Sequence, residues 1–170
     1  MGLDMYLERV IYIGSHKHYT DSTVTGKLEI KKENGEDVAI PPIDWNAVRT
    51  IREDFIQWRK ANAIHKFFVD EVQDGNDDCK DYYVSVDKLK ELMTRCEKVL
   101  RWKDLALKGS QNAKEQIELI LPPCSGFFFG STEIDQYYFE DIEYTLEELK
   151  NIPESDFNDW RISYSYSSSW

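Results

Sequence analysis

Two stretches of this 170-residue chain gather side chains that could do chemistry. In "WRKANAIHKFF", Arg59, Asn62 and Lys66 fall at i, i+3 and i+7, so on a helix they line one face. His65 lies beside Asn62, and Trp58 stands one turn before it. Arginine offers a two-pronged donor to phosphate, and an asparagine amide can read the edge of a heterocycle. The plain alternative is an amphipathic helix whose polar side is solvated and whose tryptophan packs.

The second stretch is "CSGFFFGSTEID", where Gly126 and Gly130 bracket Phe127, Phe128 and Phe129. Ser131 or Thr132 reads as the cap of a following helix, whose free N–H groups and positive dipole end suit an anion. Glu133 and Asp135 in that first turn compete with an anion, and Thr132 with Asp135 is close to a capping box. Three extended phenylalanines cannot share a side: Phe127 and Phe129 face one way and Phe128 the other. At least one ring is therefore expected in a cleft or at an interface. Taken together, the two stretches suggest a nucleotide-like ligand, with rings stacked on the base and Arg59 and Lys66 on the phosphates. That requires both stretches to line one pocket.

Other signals are weaker. "DGNDDC" begins like a calcium loop, but Cys79 stands where glycine is needed and Ser85 where the closing glutamate belongs. His16, His18 and His65 form no recognised metal-ligand spacing, and no metal or cofactor is expected. There is no GxSxG, HExxH, P-loop or dinucleotide fingerprint. A Cys124–His65 nucleophile pair would be needed for thiol chemistry, yet a lone cysteine before "SG" is more often a small packing residue. The balance favours binding over catalysis.

Composition narrows the classes. Aromatic residues make up 14% of the chain, which argues against disorder. A net charge of -11 is the wrong sign for a nucleic-acid binder, and interleaved Lys and Arg argue against a mimic of DNA. Cys79, Cys96 and Cys124 are odd in number and widely spaced, as expected of reduced thiols in a cytoplasm. Neither a signal peptide nor an apolar run of roughly 20 residues is present, so no membrane partner is expected.

The elements that must position these residues follow from periodicity. "LDMYLERVIYIG" alternates as a strand, and "KLEIKKENGEDVAI" reads as a hairpin in which Leu28 and Ile30 return through Val38 and Ile40. "WNAVRTIREDFIQW" fits helix or strand equally. From Trp58 onward a helix is predicted, with Ala61, Ile64, Phe68 and Val72 on its apolar face. Ser85 caps a helix whose apolar stripe is Val86, Leu89, Leu92, Met93, Cys96, Val99 and Leu100, and a short helix before Pro122 and Pro123 follows. A long helix from Ser131 or Thr132 runs to about Asn151, and "DWRISYSYSSSW" closes the chain as a strand. The expected fold is α+β: one domain over residues 1–170, with a mostly antiparallel sheet that includes both terminal strands and helices packed on one face.

Several segments together resemble a family of small uncharacterised proteins encoded by bacteriophages and prophages: "MGLDMYL", "WRKANAIHKFFV", "DDCKDYYVS", "LPPCSGFFFGSTEIDQYYFEDIEYT" and the terminal "YSYSSSW". The resemblance spans nearly the whole chain. The family pattern has Gln where Cys124 stands, Trp where Phe67 stands and Gln near Ser167, and the first difference counts against a catalytic thiol. The resemblance implies expression in the cytoplasm of a bacterial host, where small phage proteins often block a host enzyme or sequester a nucleotide signal used in defence. The leading expectation is thus a binder of a nucleotide-like molecule. A protein–protein inhibitor of a host factor is the alternative, supported by the tyrosine and tryptophan excess and the tail "YSYSSSW". A nucleotide-processing hydrolase using His65 comes third, and a homo-oligomer is left open.

Overall fold

A computed structural model of the chain describes residues 2–14 and 30–170. His16, His18 and Leu28 lie outside them. Strand β1 (Asp4–Tyr12) is central, pairing antiparallel with β2 (Thr50–Arg59) on one side and β4 (Ile162–Ser169) on the other. The short β3 (Tyr82–Val84) adds antiparallel to β4, giving the order β2-β1-β4-β3. The expected sheet that includes both terminal strands is present, and it sets them side by side. Of the expected hairpin, the described part is a turn at Lys32–Glu36 with one isolated bridge between Lys31 and Asp37, outside the sheet.

Alternation sorts the sheet's faces. Met5 and Leu7 of β1, Ile56 and Trp58 of β2, Val84 of β3, and Tyr164 and Tyr166 of β4 are buried, while Tyr6, Glu8, Ser165 and Ser167 between them are half-buried. The helices cover the apolar face. Phe68 of α1 (Asn62–Glu71) stacks on Tyr166 at 4.0 Å, and the Trp58 indole N–H donates to Thr145 Oγ1 of α5 (Gln136–Lys150) at 2.8 Å. Helix α2 (Val86–Leu100), capped by Ser85 as expected, packs its Leu89, Leu92, Cys96 and Val99 stripe into the same core. The short α3 (Lys103–Leu107) and α4 (Gln111–Ile120) complete the layer.

Two boundaries differ from the sequence expectation, each for a local reason. The ambiguous stretch is strand, but it carries a bulge: Leu7 faces Ile56 and Glu8 faces Asp54, so Phe55 is extra. The bulge lets adjacent Phe55 and Ile56 both reach the core, Phe55 meeting Tyr164 edge-on at 5.9 Å. The strand then continues through Trp58 and Arg59, which were expected in the helix. The chain turns at Lys60, whose φ of 63° is left-handed, and α1 starts at Asn62. Likewise α5 begins at Gln136, with Asp135 accepting from the Tyr138 N–H at 3.1 Å. Ser131 and Thr132 do not cap it.

Candidate ligand-binding cleft

The two stretches singled out in the sequence do meet, through Asn62. At the start of α1, its side-chain amide donates to the carbonyls of Phe129 (3.2 Å) and Ser131 (2.8 Å), and its side-chain oxygen accepts from the Cys124 N–H (3.3 Å). One buried amide thereby holds the 124–131 loop against the helix. Within that loop Gly126, Phe127, Phe128 and Phe129 make a tight turn, the Phe129 N–H donating to the Gly126 carbonyl. Phe128 is left-handed at φ 67°, and Gly126 is bare because a Cβ there would lie 2.5 Å from the Phe129 ring.

The rings divide accordingly. Phe129 is buried, its ring centre 5.0 Å from that of His65 and 6.0 Å from that of Trp170, both edge-on. Phe127 and Phe128 sit at the turn tip, 77% and 47% exposed, and touch each other at 4.2 Å. His65 is only 1% exposed. Its Nδ1 lies 2.8 Å from the Tyr166 hydroxyl and its Nε2 3.0 Å from Asp77, which also accepts from the Trp170 indole at 3.1 Å. Both imidazole nitrogens are therefore occupied, in a network that runs from buried His65 and Tyr166 to exposed Trp170 and ties α1 to β4 and residue 170. Trp58 is core, 3% exposed. Lys66 pairs with Asp70 at 2.8 Å. Thr132 lies apart, beside Pro122, Pro123 and Glu118. The Cys124 thiol donates to the Asn62 carbonyl at 3.2 Å, and burial pushes it up to about 11, so it is neither a thiolate nor His65's partner.

The open space lies on the other side of Asn62. A cleft of about 390 Å³ separates the β2–α1 elbow from the segment leading into α5. Arg59, Lys60 and the first residues of α1 form one wall, Gly130 and Ser131 the end, and Tyr137, Glu140 and Asp141 of α5 the opposite wall. Of the ten residues expected to bind a ligand, Arg59, Asn62 and Ser131 line it. Lys60, Tyr137, Glu140 and Asp141 were not foreseen, although "WRK" places Lys60 beside Arg59 and "YYFED" puts Tyr137 at i and Asp141 at i+4.

The walls differ electrically. On the elbow side, Arg59 is exposed and only loosely paired with Asp4 at 3.8 Å. No side chain caps α1 and no acid occupies its first turn, so its positive end is uncompensated there. On the α5 side, Glu133, Asp135, Glu140 and Asp141 all face the cleft. Burial, then the neighbouring charges of Glu140 and Asp135, push the Asp141 carboxyl up to about 6. Tyr137 presents a ring that is 76% exposed. The elbow wall thus carries positive charge and the α5 wall carries acceptors.

No family model, no curated protein and no solved structure matches the chain. Among the described residues no three His, Cys, Asp or Glu side chains are grouped to hold a metal ion, and no helix is long and apolar enough to cross a membrane.

Proposed function

We propose that the protein is a binder of a nucleotide-like small molecule, held in the cleft between the β2–α1 elbow and α5. One observation carries this: Arg59, Lys60 and the uncapped start of α1 oppose an exposed tyrosine ring and carboxylates across a space of about 390 Å³. That volume falls in the range of small-ligand clefts, roughly 300–1,000 Å³. Phosphate oxygens take the elbow, where the Arg59 and Lys60 cations flank the positive end of α1. The base lies on Tyr137, and its N–H donors face the α5 carboxylates. Lys60 supports the assignment as well, because a lysine in the left-handed region is a strained elbow of the sort that clusters at ligand sites. The resemblance to phage proteins supplies the setting, a host cytoplasm in which such a binder would withdraw a nucleotide signal.

A thermal-shift and calorimetric screen with mononucleotides and dinucleotides tests this. At least one is expected to raise the melting temperature, and the Arg59→Ala/Lys60→Ala double variant to abolish that rise. If none does, while the protein as bait recovers one host protein in stoichiometric amount, the protein–protein inhibitor takes its place. The exposed Phe127–Phe128 pair would then be the anchor.

A further inference from the structure

We infer that the cleft selects guanine, and that the Asp141 carboxylate reads the base. This rests on the nucleotide proposal above and deepens it. Asp141 lines the cleft, is half-buried, and its carboxylate oxygens take part in no hydrogen bond or ion pair among the described residues. Only its backbone carbonyl is used, accepting from the Thr145 hydroxyl at 2.6 Å. Its neighbours on α5 are spoken for differently: Asp135 caps the helix, and Glu140 is exposed and accepts from Gln136. The carboxylate oxygens are open to solvent rather than sealed, and a ligand that brings two donors exchanges that water for directed bonds.

Chemistry then chooses the ligand. An ionised carboxylate has two oxygens side by side and accepts only. It matches a ring edge with two adjacent N–H donors. Guanine has that edge, N1–H beside the 2-amino group. Adenine and cytosine set an amino donor next to a bare ring nitrogen, which would point its lone pair at an anion. Hypoxanthine keeps N1–H and lacks the amino group. Tyr137, one turn before Asp141 on the same face of α5, lines the same cleft and offers a base there an exposed ring to stack on.

Titration calorimetry at pH 7.5 with guanosine, inosine and adenosine monophosphates tests this on the unaltered chain. Guanosine monophosphate is expected to bind about tenfold or more tightly than either of the others. Asp141→Asn is expected to erase the margin over inosine monophosphate while weaker binding remains, with circular dichroism confirming its fold. Equal affinities for the three would overturn the guanine assignment and leave nucleotide binding standing. A margin that survives in Asp141→Asn would overturn the role of Asp141. No binding of any of the three, with no shift from any other nucleotide, would bring down both proposals.

Discussion

Asp141 is a side chain the fold tolerates rather than needs. Burial, with Glu140 and Asp135 close by, lifts its carboxyl from 3.8 to about 6, and the cations Arg59 and Lys60 lie on the opposite wall. A folded value above the unfolded one, about 3.9, means that the protonated form is favoured in the native state. The stability it contributes is present below about pH 4 and is lost as pH rises through about 6. The full rise corresponds to about 3 kcal/mol, and partial exposure lowers the expected figure to about 1–2 kcal/mol. Asp141→Asn should therefore stabilise the protein by that amount at pH 7.5, and the gain should vanish by pH 4. Urea unfolding at the two pH values checks this.

At the scale of elements, the turn from Gly126 to Phe129 joins the α1 start to the chain's end. Phe129 is pinned between His65 and Trp170, so its ring cannot retreat from a new Cβ at residue 126. Gly126→Ala should cost about 1–3 kcal/mol, the usual penalty for overpacking a filled site. Its urea midpoint should fall without a change in slope. The same turn has its two outer rings in solvent, which is why a run of three phenylalanines coexists with an ordinary core: one is packing and two are surface.

For the molecule as a whole, the sheet is locked to the 3-10 turn at Glu154–Asn158 by Arg9. Its guanidinium bonds both oxygens of Asp156, at 2.6 and 3.1 Å, and Tyr164 donates to the same carboxylate at 2.9 Å. Burial alone would raise the Asp156 carboxyl; the guanidinium and the hydroxyl outweigh it and hold it below the usual range. Arg9→Ala leaves a buried carboxylate with neutral donors alone and should cost about 3–5 kcal/mol at neutral pH, a large share of a typical domain's total. A depressed carboxylate stabilises above its unfolded value, about 3.9, and that contribution is lost as pH falls through the folded one. The gap between Arg9→Ala and the parent should narrow below about pH 4, as denaturant titrations across that range would show.

Periodicity alone identified β1, β4, α2 and the α+β class, because side-chain alternation and helical stripes are local properties of adjacent residues. It left β2 open between helix and strand because the bulge at Phe55 breaks the two-residue period, and it began α1 too early because the elbow falls on Lys60, which is neither Gly nor Asn nor Pro. Asn62 and the "SGFFFGST" loop were marked by their residue types, yet which phenylalanine is buried depended on His65, Trp170 and Asn62 closing around it. The cleft was less legible still. Arg59 and Lys60 face Tyr137 and Asp141 only because α1 and α5 pack on the same side of the sheet, and no spacing along a chain encodes the distance between two helices far apart in it.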